Sequence, residues 1–116
     1  MTISDLIAAI QGTLAAGDSS QNDTISCGYT CDLLSWVMAK GQKGMAWVTV
    51  QNHVNVVAVA VLAEMACVIL PERITMESAA LSKASEENIS IIYSPLSAYD
   101  ICTIMAKAGV HGPDEL

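Results

Sequence analysis

The segment "MAWVTVQNHVNVVAVAVLAEMACVIL", Met45 to Leu70, is almost wholly apolar, yet it holds a dense polar knot of Gln51, Asn52, His53 and Asn55. Before the knot, "MAWVTVQ" is nearly continuous in apolar character, as expected of a strand covered on both faces. After it, Val54 to Met65 reads as a helix too apolar for ordinary exposure, sandwiched or used in association, and "ACVIL" as a second buried strand broken at Pro71. The longest uninterrupted apolar run is only Val56 to Ala63. A membrane span needs about 20 predominantly apolar residues, so strand, helix and strand is the reading, with no membrane role.

The same patterning extends outward in both directions. Ser4 precedes Leu6, Ile7 and Ile10 at helical spacing, with Asp5 in the first turn and Gly12 past the end, which predicts a short helix capped by Ser4. "TLAAG" reads as a brief strand, Asp18 to Asp23 as a polar turn-forming loop, and Thr24 to Cys31 as an alternating strand with one covered face. Asp32 is placed to cap a helix over "LLSWVMAK" that stops at Gly41. Downstream, Thr75 opens a more polar helix ending near Asn88, and "ISIIYS" is the next strand. Ser97 then caps a last helix, with Asp100 as its reciprocal partner and Ala98, Ile101, Cys102, Met105 and Ala108 as its inward stripe, up to Gly109. Strands alternating with helices predict an α/β domain with a largely parallel sheet and helices on its faces, one domain over residues 1–116.

Composition narrows the functional classes. With 53% hydrophobic and 15% charged residues, the chain is far from a disordered composition, and its 116 residues suffice for one core. Twelve acidic residues face five scattered basic ones, for a net charge of −7. No basic stripe forms, which argues against a nucleic acid partner, and the acidity is read as keeping an apolar domain soluble. The N-terminus "MTISDLIAAIQ" has no basic region of the secretory kind, so the cytoplasm is expected, and the terminal "PDEL" has no retention role without secretion.

Cys27 and Cys31 form a C-x3-C spacing, with Cys67 and Cys102 elsewhere. In an extended strand four residues span roughly 13 Å, against the roughly 4.4–6.8 Å between the α-carbons of a disulfide. The four thiols are therefore read as small hydrophobes in a reducing compartment. Trp36 and Trp47 read as core or interface bulk, and with the apolar helix they make a homodimer face an expectation.

In open α/β sheets ligands gather at the carboxyl ends of strands, which accounts for the polar knot: it sits where the chain leaves the sheet. The turns holding Asp32 and Ser35, Gln51 to Asn55, and Ser94 to Ser97 should open on one edge, followed by Tyr99. The ligand-binding candidates are Asp32, Ser35, Gln51, Asn52, His53, Asn55, Ser94 and Ser97, offering polar side chains and helix-end N–H groups to a small anionic or nucleotide-like ligand. The competing reading makes Asp32 and Ser97 ordinary helix caps and the asparagines turn formers. His53 could exchange protons near neutral pH, but no nucleophile, phosphate-loop or metal-binding motif accompanies it. No catalytic residue, metal or cofactor is assigned.

Four blocks, "GYTCDLLSWVMA", "AWVTVQNHVNVVAVA", "ACVILP" and "SPLSAYDI", together resemble the DRTGG domain family, in particular its small stand-alone bacterial members, which are similar to the N-terminal domain of HPr kinase/phosphorylase. The resemblance covers nearly the whole chain. It implies a three-layer α/β/α sandwich around a mixed, mostly parallel sheet of about five strands, related to the N-terminal domains of Mur ligases. It also implies a non-catalytic regulatory module, and a setting beside hydrogenase or other redox proteins of anaerobes. The Asp-Arg-Thr-Gly-Gly motif is absent, and so is the P-loop domain that carries the kinase chemistry, so neither the motif's role nor kinase activity transfers.

Overall fold

Strands β3 (Met45–Val48) and β4 (Cys67–Leu70) are buried at every position, and they occupy the middle of a five-stranded sheet ordered β1-β5-β4-β3-β2. The computed structural model describes residues 1–18 and 23–114, so part of the expected loop from Asp18 to Asp23 lies outside the described residues. β2 (Cys27–Thr30), β3, β4 and β5 (Ser90–Tyr93) run parallel, while β1 (Thr13–Ala16) pairs antiparallel with β5 at one edge. Helices α2 (Leu34–Lys40), α3 (Val54–Leu62) and α4 (Ser78–Glu87) connect the successive parallel strands. The fold is an α/β sandwich around a mixed, mostly parallel sheet, as the alternating pattern predicts.

Period-two alternation divides the core in two. Met45, Trp47, Val68, Leu70 and Ile91 point to one side, where they pack with the crossover helices through Val37, Val56, Val57, Val59, Ala60, Ala80 and Ala84. Ala46, Val48, Cys67, Ile69 and Ile92 point to the other, against α1 (Ile3–Ala9) and α5 (Ala98–Lys107) through Ile3, Leu6, Ile10, Ile101 and Met105. The crossovers all step across the sheet in one direction, and crossovers of one hand stepping one way must lie on one face.

Several local expectations shift, each for a visible reason. α1 is capped by Thr2 and not by Ser4: the Thr2 hydroxyl accepts from the Asp5 N–H at 3.1 Å and the Asp5 carboxylate accepts from the Thr2 N–H at 3.0 Å. Hydrogen bonds from Thr2 hold the Asp5 carboxyl below its ordinary range. β2 begins only at Cys27, and Ile25 joins the opposite core from Cys27 and Tyr29 instead of sharing their face. α4 starts at Ser78 and not at Thr75 because Glu77, its N-cap, is extended (φ −61°, ψ 148°), held there as its N–H donates to the Asn52 carbonyl and the Met76 N–H to the Tyr93 hydroxyl, each at 3.0 Å. In α5 the Ser97 cap forms and Gly109 adopts the left-handed conformation past the end, but Ala108 of the expected inward stripe is exposed. Gly17, at φ +78°, follows a register shift in β1, and a Cβ there would stand 2.8 Å from the Ile89 carbonyl oxygen.

All four cysteines are free; Cys27 and Cys67 are buried, Cys31 and Cys102 half-buried. Among the described residues no helix is long and apolar enough to cross a membrane. Burial pushes the Cys67 thiol up to about 12. Its folded pKa therefore lies above the unfolded one, so its contribution to stability is complete below about pH 9 and declines as the pH rises toward about 12. Urea midpoints measured from pH 7 to pH 10.5 should fall more steeply for the parent chain than for Cys67→Ala, and parallel curves would contradict this.

Candidate functional site

The carboxyl ends of four parallel strands open on one edge of the sheet, and the loops there carry a continuous series of hydrogen bonds. At the β2–β3 end, one Asp32 carboxylate oxygen accepts from the Thr49 hydroxyl at 2.8 Å and from the Val50 N–H at 2.9 Å. The Gln51 side-chain amide donates to the Asp32 carbonyl at 3.0 Å, and the Gln51 N–H donates to the Thr49 hydroxyl at 3.2 Å. Thr49 is only 1% exposed, so Asp32 supplies the acceptor that a buried hydroxyl requires. Asp32 thus staples two loops and does not cap α2, whose N-cap is Leu33 with no side-chain bond. Fully buried Trp47 fixes the same loop from below by donating its indole N–H to the Cys31 carbonyl at 2.9 Å.

The middle of the edge is tied by Asn52. Its side-chain amide donates to the Thr75 carbonyl at 3.0 Å, and its own carbonyl receives the Glu77 N–H. His53 is the half-buried N-cap of α3 and makes no side-chain capping bond. α4 likewise begins without a side-chain cap, so none of the three helices that open on this edge after β2, β3 and β4 has a side chain bonded to its first-turn N–H groups, although the Trp36 and Val56 N–H groups donate to the Leu33 and His53 carbonyls.

The remaining candidates lie apart from the Asp32 network. Ser35 and Asn55 line an apolar groove of about 600 Å³ between α2 and α3, with Leu34, Met38, Ala58 and Val59. Ser94 is 1% exposed and bonded within the fold: it donates to the Ile10 carbonyl at 2.7 Å and accepts from the Leu96 N–H at 3.1 Å. Ser97 accepts from the Asp100 N–H at 3.1 Å, and Tyr99 is 80% exposed.

Four residues escaped the sequence reading. Thr49 was hidden inside an apolar strand pattern. Arg73, Tyr93 and Gln11 line a polar pocket of about 300 Å³ at the far end of the edge, beside Ser94. The lone arginine of the chain just after a strand-ending proline was an available signal for Arg73. Gln11 had none, because it reaches the edge only through the antiparallel pairing of β1 with β5, which sets Thr13 opposite Tyr93.

No protein-family model matches the chain, and no curated protein matches it. Among solved structures, it is similar to the crystal structure of the CBS and DRTGG domains of the regulatory region of a Clostridium perfringens pyrophosphatase, in complex with its activator diadenosine tetraphosphate. The TM-score is 0.72 at 10% sequence identity, over 99% of this chain and 52% of that one. The chain therefore spans about half the length of that structure and shares a fold with it.

The Asp32 staple makes a direct prediction. Asp32→Ala leaves the Thr49 hydroxyl and the Val50 N–H without their acceptor and should destabilise the fold by about 1–3 kcal/mol. Asp32→Asn keeps an acceptor oxygen and should cost clearly less. Chemical denaturation of the three proteins decides the matter, and equal midpoints would show the staple to be inert.

Proposed function

We propose that residues 1–116 act as one regulatory, ligand-sensing domain of the DRTGG type. The domain works in the cytoplasm without turnover and binds a small anionic or nucleotide-like metabolite at the carboxyl edge of its parallel strands. The observation that carries this reading is the set of uncapped N-termini of α2, α3 and α4 along that edge, with the polar turn at 49–53 between them. Free N–H groups at helix starts favour anions. The likeness to a regulatory region crystallised with a nucleotide activator supports the same kind of role. His53 belongs to this reading as a ligand contact, at the entrance of the most apolar helix.

A thermal-shift series with nucleotides and acyl phosphates tests it. A saturating ligand at 100 times its Kd adds about 2.7 kcal/mol of stability and raises the melting temperature accordingly. His53→Gln should change stability by no more than about 0.5 kcal/mol, since the side chain makes no capping bond. The same change should weaken the hit by about tenfold, equivalent to about 1.4 kcal/mol. No shift with any compound would sink the proposal.

A second reading is favoured by the outer face of α2 and α3, that of an interaction subunit forming a homodimer or docking on a larger redox or regulatory protein. Leu62 is 73% exposed, Met38 55% and Trp36 53%. Val54, Ala58 and Leu62 make one exposed stripe along α3, and Lys40 is the single charged residue in the two helices, its ammonium 5.6 Å from the Trp36 ring centre. Two chains of net charge −7 would meet with least repulsion through such a face. Light scattering should then give a dimer mass for the parent chain and a monomer for Leu62→Glu, and a monomeric parent at high micromolar concentration would remove the homodimer.

A further inference from the structure

We infer that the pocket at the β1–β5 end of the carboxyl edge is an oxyanion site for a phosphoryl group, held by Arg73 with Tyr93, Gln11, Thr13 and Thr75. This names the ligand chemistry of the sensing role and rests on that reading for its meaning. The cavity of about 300 Å³ suits a phosphate or a small phosphomonoester better than a whole dinucleotide.

Its lining is a donor set. Arg73 is the only guanidinium in the chain and has no carboxylate partner among the described residues, although acidic residues outnumber basic ones twelve to five. A planar guanidinium matches a phosphate geometrically, with two parallel N–H donors. Tyr93 accepts the Met76 N–H at its phenol oxygen, which leaves the phenol hydrogen to be donated. Thr13, Thr75 and Gln11 add hydroxyl and amide donors, and among the described residues no acidic side chain lines the space. Ser94 is spent on Ile10 and Leu96 and serves as wall.

The backbone holds the donors in place. Gln11 and Arg73 both adopt left-handed conformations, φ 57° and 62°, which residues with a Cβ seldom take. The Arg73 N–H donates to the Ser94 carbonyl at 3.0 Å, and the next N–H after Gln11, that of Gly12, donates to the Ile7 carbonyl at 2.8 Å. Both side chains therefore leave loops pinned to the sheet and to α1. Asn52 links the Arg73 loop to the polar turn through the Thr75 carbonyl, so occupancy of the pocket has a direct hydrogen-bonded route to the start of α3.

The single arginine provides its own probe. In ¹H–¹⁵N spectra of the full chain, its one side-chain Nε–H signal should move saturably with inorganic phosphate, together with amides at residues 11–13, 73–75 and 93, and should not move with sodium chloride of equal ionic strength. Adenosine monophosphate in place of phosphate separates the sources: shifts at the same residues assign the phosphoryl end of a metabolite, whereas shifts with phosphate alone assign the free anion. Arg73→Asn removes the charge while keeping a residue type tolerant of the left-handed backbone, and should raise Kd at least about tenfold. Arg73→Lys, as a check on folding, should give an intermediate loss. Shifts reproduced by chloride, or a Kd unchanged in Arg73→Asn, overturn the inference. Shifts confined to residues 49–55 overturn it while leaving the ligand-sensing reading standing, and no response to either phosphate compound overturns it while the nucleotide thermal-shift series decides the broader role.

Discussion

Every residue of β3 and β4 is buried, and that two-sided burial is the constraint on which the rest of the molecule depends. Alternate side chains feed two separate cores, so both faces must be roofed by helices, and a parallel arrangement provides the crossovers that do it. Burial also dictates the chemistry at the strand ends. Where β3 stops, the next residue, Thr49, is still buried, and its hydroxyl must find a partner. Asp32 from the neighbouring loop provides one, while Trp47 turns its indole N–H to the Cys31 carbonyl. The polar knot is thus the place where an apolar strand hands its backbone from sheet to helix, and among the described residues no buried side-chain polar atom is left without a partner.

The carboxyl edge that results has two chemical halves. Around β2 and β3 the hydrogen bonds close inward, with the Asp32 carboxylate and the Gln51 amide spent on loop backbone and on Thr49. Around β1, β5 and β4 the donors of Arg73 and its neighbours face an open pocket. Asn52 joins the halves by bonding across to the loop that precedes α4. A chain with net charge −7 has few places where an anion is not repelled, which gives the position of its lone arginine more weight than a single surface cation ordinarily has.

The helix layers are unequal in the same way. α3 is packed between α2 and α4 and contributes Val56, Val57, Val59 and Ala60 to the core, yet its outer stripe of Val54, Ala58 and Leu62 remains exposed beside Trp36 and Met38. A helix that is apolar on both sides in a layer with solvent beyond it is suited to contact with another surface. The polar edge and the apolar face meet at the start of α3, where His53 is the N-cap, so a ligand at the edge and a partner on the face would act on the same helix.

The element order was legible in the residues because each element carries its own local cause: the continuous apolar runs of β3 and β4, the stripe of Ile101 and Met105, the Ser97 cap, and Gly109 past the end. Such signals act over a few residues and need no knowledge of the fold. The Asp32 side chain shows where that legibility stops, for a carboxylate before a helix can cap it or staple a loop, and only the nearness of Thr49 across the β2–β3 pairing decides. The grouping of the candidate residues was likewise beyond local reading. Ser35 and Asn55 went to the helix groove and Ser94 to a buried bond with Ile10, while Gln11 and Arg73, 62 positions apart in the chain, came to one pocket through β1. Local patterning set which segments are strands and helices, although Ile25 and Ala108 show that the face a residue takes near an element's end is settled by its neighbours; the pairing of β1 with β5 and the stacking of loops along one edge, set by contacts between residues far apart in the chain, decided which polar groups meet.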